Sequence, residues 1–392
     1  MKRTFAITIA FLQLTLLSFA QTKPITIKCK ASDEKVNVSD VFSSVDFIKL
    51  ETPKESLLTY PADIQLVDDY LIIFDGTRKI YVYTKDGKFV RQIGRFGRGP
   101  GEYVQLADMI VDKQNHLIEI YEDFTRRILV YDFNGKFIKT NNGFVASSIG
   151  KDNKGNYLYF SEYYGLHGKD VKEPLDTEVL LADAKGNTLS TFKNDFIPWG
   201  KFQAAANASC IKEFGGELYF NPQRSCTIYK LDNLRLKPCY QVDFGEKSVP
   251  EKYLALGQEL DKETYKTLQS NYITEVWGFE QTDKNVYFKF RVGREIYLVF
   301  YNKKQAKSIV VPLKSFVNDL AFVNFYSVNG TVDNKVIGYV SAIDFKKQMD
   351  DYLSKLSAEK VSEFKSSNPK LYDIYQNTTI DDNPIISIYS FK

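Results

Sequence analysis

The sequence predicts an all-β fold built from repeated four-stranded units, the architecture of a β-propeller. One observation is a repeat. Tyr83 and Tyr131, and Gly87 and Gly135, share an offset of 48 residues, and the segments around them match in residue type. A period of this size belongs to propeller blades, where four antiparallel strands make one unit. The second observation is composition. Aromatics make up 15% of the 392 residues, mostly Tyr and Phe, and turns such as Asp86-Gly87 and Asn134-Gly135 separate the apolar runs. The third is a strand at Val45 to Leu50, placed to complete the last unit and so remove the exposed edges that an open ring would leave.

Six units follow along the chain. The first two carry the repeat most plainly: Leu71 to Asp75, Lys79 to Tyr83 and Phe89 to Ile93, then Leu117 to Tyr121, Arg127 to Tyr131 and Phe137 to Lys139. The third holds Asn156 to Phe160 and Glu178 to Ala182. The fourth runs from Ile211 through Thr227 to Lys230 to Phe244, and the fifth from Trp277 to Val311. The sixth begins near Phe322 and finishes at Ile385 to Phe391. The expected blade spans are 66–103, 108–142, 148–196, 210–247, 275–312 and 321–392, the last joined by strand 45–50. Two stretches break the pattern with apolar residues at helical spacing, one from Ser248 through Gln269 and one over Asp344 to Ser366. Both read as short helical insertions packed on the ring.

Residues 1–20 read as an export signal: Lys2 and Arg3, an apolar run from Phe5 to Leu17, then the small-residue site Ser18-Phe19-Ala20. Residues 21–392 then form a single domain. No later segment has the ~20 apolar residues of a membrane span, and the first cysteine, Cys29, lies too far past Ala20 for a lipid anchor. A soluble, exported protein of the periplasm or cell exterior is expected. The formal charge is only +3, and Lys2 and Arg3 supply part of it. That balance, without a long basic run, gives no footprint for nucleic acid.

The residues for common chemistries are scarce. There is no Gly-x-Ser-x-Gly, and the only histidines are His116 and His167, too few for a histidine zinc site. Asp152-Asn153-Lys154-Gly155-Asn156 offers oxygen ligands, but its length and Lys154 fit a β-turn better than a calcium loop. No catalytic residue, metal or cofactor is expected. A two-residue turn at Asp232-Asn233 would set Cys226 opposite Cys239, close enough for a disulfide; free thiols are the alternative.

Candidate ligand-binding residues are Arg95, Arg98, Glu102, Tyr103, Trp199, Arg224, Trp277 and Arg291. The glycines of the Gly94 to Tyr103 segment allow close backbone approach, and Arg95 and Arg98 can present guanidinium forks to an anion. The competing reading is a tight crossover in which Arg95 and Glu102 pair. Trp199 and Trp277 suit a stacking platform for a sugar or peptide, or packing between blades.

The chain resembles the exported six-bladed β-propeller proteins of Bacteroidota, which carry NHL-like repeats and are largely uncharacterised. The resemblance rests on Ile93-Gly94-Arg95-Phe96-Gly97-Arg98-Gly99-Pro100-Gly101-Glu102-Tyr103, on Thr227 to Asn233 leading to Val242-Asp243-Phe244-Gly245, and on Asp382-Asn383-Pro384. It implies a six-bladed β-propeller closed by N- and C-terminal strands, and export, but little chemistry. The expected function is a non-catalytic binding module, a monomer holding a glycan, peptide or cell-envelope protein on one propeller rim. The alternatives are a lyase or hydrolase acting in the central channel and a structural scaffold; fold alone does not separate them. Convergent carboxylates at the channel mouth would favour the enzyme, and an aromatic or basic rim the binder.

Overall fold

In the middle strands of the first repeat, alternate residues serve different neighbours. Leu71, Ile73, Tyr81 and Tyr83 pack with Ile337, Ile386 and Ile388 near the carboxyl terminus, while Ile72, Ile80 and Val82 pack with Ile118, Ile120 and Leu129 of the next repeat. Both faces of the sheet are therefore buried, which explains why its strands are apolar throughout rather than alternating with polar residues. The computed structural model describes residues 23–161, 177–193, 209–222, 224–256 and 259–392. The expected leader at 1–20, His167 and Trp199 lie outside the described residues.

The chain is predominantly β and propeller-like: among the described residues five sheets have four antiparallel strands, and one more, the fourth along the chain, has four antiparallel strands and another added at its edge. The first comprises Pro61–Val67, Tyr70–Asp75, Lys79–Thr84 and Phe89–Ile93. The second comprises Leu106–Asp112, Leu117–Glu122, Arg127–Asp132 and Phe137–Asn142. In the third are Ser148–Lys151, Tyr157–Phe160, Thr177–Ala182 and Thr188–Lys193. The fourth contains Ile211–Phe214, Glu217–Phe220, Thr227–Asp232 and Arg235–Asp243. The fifth contains Trp277–Gln281, Asn285–Val292, Glu295–Asn302 and Lys307–Pro312. The sixth joins Gly330–Val332, Lys335–Val340 and Ile385–Phe391 to the amino-terminal strand Phe42–Lys49.

That last pairing is antiparallel, with Lys49 opposite Ile385 and Val45 opposite Tyr389, as the sequence led us to expect. The Asp382-Asn383-Pro384 segment secures it. Asn383 Nδ2 donates to the carbonyls of Glu51 and Ser56 at 2.8 and 2.9 Å, and its Oδ1 accepts from the Leu58 N–H. Asp382 Oδ2 lies 3.1 Å from Lys49 Nζ. The sixth sheet also meets the first directly: the Ile64 N–H donates to the Asn329 carbonyl at 2.7 Å. A side chain at Gly330 would collide with the Ile64 carbonyl.

Several details depart from expectation. A further strand, Ile25–Lys28, adds in parallel to the outer edge of the fourth sheet. The first helical insertion is two helices, Glu251–Leu254 and Lys262–Asn271, the second starting where the Asp261 side chain caps the Thr264 N–H. The other insertion is three, Ala342–Ser354, Ala358–Ser367 and Pro369–Gln376, restarted by a Ser357 cap and by Pro369 in the first turn. Cys226 and Cys239 are free thiols. Their hairpin turns at Asn233-Leu234, and a bulge between Ile228 and Tyr229 displaces the register, so the Cys226 carbonyl accepts from Val242 instead.

Strand direction gives each sheet two different ends. Connections to the next sheet, both helical insertions and the turns between second and third strands gather at one, here the crossover end. The tight turns between first and second strands, and between third and fourth, lie at the other, the hairpin end.

Candidate functional site

Glycine spacing shapes the first crossover. Arg95 and Phe96 pair in parallel with Glu102 and Tyr103, and the Tyr131 hydroxyl donates to the Gly101 carbonyl at 2.6 Å. Arg95 and Glu102 are thus backbone partners. The Glu102 carboxylate turns inward, where Oε2 accepts the Gly99 N–H at 2.8 Å. A Cβ on Gly97 would fall 2.0 Å from that same oxygen, so the loop closes around Glu102 only with glycine there. Glu102 is a structural member of the loop. Tyr103 is buried, 3% exposed, and burial pushes its phenol up to about 12; it packs in the core and is withdrawn as a ligand contact. Arg95 and Arg98 remain exposed.

Phe96 is left 77% exposed by this loop, and Phe124, on the adjoining turn of the second sheet, 76% exposed. The crossover docks onto that turn through Gln105 Nε2, which donates to Asp123 Oδ2 at 3.3 Å. Leu57, Tyr60, Ile343 and Ile380 are also exposed at the crossover end. Opposite them, the hairpin end carries Asp68-Asp69, Lys113 to His116, Asp152 to Asn156 and Asp183 to Asn187. His116 Nε2 lies 2.9 Å from Asp68 Oδ2, with both side chains exposed. Asp152 accepts the Lys154 and Asn156 N–H groups at 2.9 and 2.8 Å, forming a turn. Among the described residues Leu234 is the one large apolar side chain exposed in a turn of the hairpin end. The two ends differ in chemistry: guanidinium and apolar groups at one, mixed lysine, aspartate and asparagine side chains at the other.

Also at the crossover end, a cavity of about 570 Å³ opens between the outer strands of the fourth sheet and the first helical insertion. Arg224 lines it and is 6% exposed, with a left-handed backbone (φ 63°). Its N–H donates to Glu275 Oε2 at 3.2 Å. An arginine held in that conformation costs on the order of 1 kcal/mol or more, which surrounding contacts must offset. Burial first, then the neighbouring Glu275 and Cys29, pushes the Cys226 thiol on the same wall up to about 12, so it is protonated and unreactive at neutral pH.

Carboxylates converge from the first strands of several sheets, a feature missed in the sequence. Lys212 Nζ lies 2.8 Å from both Asp63 Oδ2 of the first sheet and Glu280 Oε1 of the fifth. Burial opposes the Lys212 charge, but the two carboxylates outweigh it and hold the ammonium above the usual lysine range. Asp108 sits nearby on the second sheet. Its Oδ2 accepts from the Ile149 N–H at 2.9 Å and the Ser148 hydroxyl at 3.0 Å. Burial outweighs these bonds and pushes its carboxyl up to about 6. Trp277 lines a cavity of only about 20 Å³ that reaches Lys212. Arg291 lies 5.6 Å from the Trp277 ring centre, so these two candidates contact one another. Among the described residues no group of histidine, cysteine and acidic side chains is arranged to hold a metal.

A family model described as a domain of unknown function, DUF4934, matches residues 23–390. The chain is similar to a protein of Bacteroides fragilis NCTC 9343 described as exported. They share 23% identity over 94% of this chain and 99% of the other, at a TM-score of 0.75. A member of the duf4221 family from Bacteroides vulgatus shares 9% identity over 89% of this chain and 98% of the other, at a TM-score of 0.45. No curated protein sequence matches. No helix among the described residues is long and apolar enough to cross a membrane.

Proposed function

The chain belongs to the DUF4934 family, and we propose that it is an exported, non-catalytic binding module that holds a glycan, peptide or protein partner on its crossover end. We read the six sheets as the blades of one closed ring with NHL-like repeats; the Asn383 clasp and the contact of Gly330 with Ile64 support that reading. On it, Lys212 and Asp63 reach toward one another across the axis and obstruct the channel. The observation that carries the binding role is the contrast between the ends: exposed Phe96 and Phe124 stand beside Arg95 and Arg98. Aromatic side chains, phenylalanine among them, and arginine are enriched in protein interfaces relative to the rest of the surface. Arg224, which is buried, and Trp277 and Arg291, which contact one another, stay as separate candidates at the same end, and the soluble, unlipidated form is the one expected to work in the periplasm or outside the cell.

A lyase or hydrolase working in the channel is the second reading, favoured by Asp63, Asp108 and Glu280 converging with a raised Asp108. We rank it lower because Lys212 already engages two of the three acids and the adjoining cavity is too small for a sugar ring. Screening the mature protein against glycan and peptide arrays tests the choice. Binding without turnover is expected; turnover of a captured compound that is lost in Asp108→Asn would replace this reading with the enzymatic one.

A further inference from the structure

Lys289 differs from the other lysines drawn into the fold. Lys151 Nζ lies 2.7 Å from both Asp112 and Glu119, Lys212 is held by Asp63 and Glu280, and Lys303 donates to the Thr282 carbonyl at 2.6 Å. Lys289 has no hydrogen bond or ion pair among the described residues. It sits in the second strand of the fifth sheet, opposite Trp277 and so towards the crossover end. Along that strand Phe288 and Phe290 enter the core, which leaves Lys289 and Arg291 on the other face. The Lys289 side chain lies over Gly278: a Cβ there would fall 2.9 Å from Lys289 Cε and 3.6 Å from Nζ. Gly278 has a left-handed backbone, φ 65°, within an irregular stretch of the ladder between Trp277 and Glu280, so the first strand opens the space that the amine occupies. Lys289 stays partly exposed. Burial holds its ammonium below the usual lysine range, against the pull of Glu280. A larger share of the amine is therefore unprotonated at neutral pH, and a neutral amine is a nucleophile for carbonyl carbon. Arg291, two positions on, is exposed and has no carboxylate partner among the described residues. Its guanidinium suits a carboxylate, which it can hold in a two-pronged geometry.

We infer that Lys289 and Arg291 form a covalent capture site for a small 2-oxo carboxylate. Arg291 takes the carboxylate, and the lone pair of the Lys289 amine adds to the adjacent carbonyl carbon. A C–N bond forms as the C=O π pair moves to oxygen, which takes up a proton given up by the amine. Loss of that oxygen as water, with the second N–H proton, leaves a C=N imine; nothing is oxidised or reduced. This is capture without turnover. The site stands apart from the Phe96 and Phe124 surface, so its failure would leave the binding role proposed there untouched.

The test treats the mature protein at pH 7 with glyoxylate or with glycolaldehyde, an aldehyde of similar size without the carboxylate. Cyanoborohydride fixes each imine as a secondary amine, and peptide mass spectrometry maps the adducts. Rates at Lys289 are divided by those at exposed Lys136, which cancels the intrinsic reactivity of each probe. Glyoxylate is expected to modify Lys289 at least tenfold faster than Lys136, and glycolaldehyde to show a ratio at least fivefold smaller. Lys289→Met should remove this fast adduct. Arg291→Gln, at an exposed position, should bring the two probes level while leaving the melting temperature unchanged, so that loss of capture is not confused with loss of fold. Adducts spread over exposed lysines with no excess at Lys289, equal ratios for the two probes, or a glyoxylate preference that survives Arg291→Gln would each overturn the inference.

Discussion

Lys212 Nζ on the fourth sheet lies 2.8 Å from Asp63 Oδ2 on the first, joining strands whose positions in sequence are 149 residues apart. Glu280 from the fifth sheet completes the group at the same distance. Removing the cation leaves two carboxylates with little access to water. Lys212→Met should therefore destabilise the protein by about 3–5 kcal/mol, read by urea denaturation. Replacing Asp63 and Glu280 with Leu in the same chain should recover most of the loss. No change on the single substitution would mean that the group is already solvated.

Asp108 gives stability a pH dependence of defined sign. Its carboxyl is raised to about 6 in the fold, above the ordinary ~3.9 of an unfolded chain, so folding favours the protonated form. The contribution is complete below pH 4 and is lost as pH rises through 6, by roughly 2–3 kcal/mol. Denaturation midpoints measured from pH 4 to 7 should show this decline, and Asp108→Asn should flatten it. An unchanged slope in the variant would assign the decline to other groups.

The contact between the first and sixth sheets is close enough to test with a single carbon. A Cβ on Gly330 would lie 1.9 Å from the Ile64 carbonyl oxygen, and backbone cannot swing aside as a flexible side chain can. Gly330→Ala is expected to cost about 2–3 kcal/mol. Asn383→Ala, which removes the partners of the Glu51 carbonyl and the Leu58 N–H while Tyr83 still donates to the Ser56 carbonyl, should cost about as much, roughly 1–3 kcal/mol for each group left unpaired. Wild-type stability in both variants would show that this junction does not hold the sheets together.

The first crossover should be equally sensitive. Gly97→Ala pushes the Glu102 carboxylate off the Gly99 N–H. The expected result is faster amide exchange across 95–103, with the global melting point lowered by only a few degrees. A loop whose exchange is unaltered would show that Glu102 does not hold it.

Much of this organisation was legible because it is periodic. The repeat of Tyr83 at Tyr131 and the strand at Val45 to Leu50 located units from local pattern alone, and both the pairing of that strand and its partner Ile385 to Phe391 appear in the sixth sheet. Asp382-Asn383-Pro384 stood out as a motif, and its role as a clasp became clear only through partners more than 300 residues away. What local pattern missed was set by register and by distance. A turn one residue later than expected, and then a bulge, separated Cys226 from Cys239, and the parallel strand Ile25–Lys28 is too short to show a period. Lys212, Asp63 and Glu280 look like ordinary surface charges until three strands are brought together. In the candidate site, Arg95 and Arg98 were visible as charges among glycines, whereas nothing set Phe96 and Phe124 apart from the many other aromatics of the chain.

The surface they form allows the most direct test of the binding role. A ligand captured by the mature protein from a glycan or peptide array should be retitrated against Phe96→Ser/Phe124→Ser and against Lys136→Ser/Lys185→Ser, which alters only turns of the hairpin end. We expect the first pair to weaken binding at least tenfold and the second to leave it unchanged. Binding that survives the loss of both phenylalanines, or that is lost with the two lysines, would contradict the assignment of the crossover end.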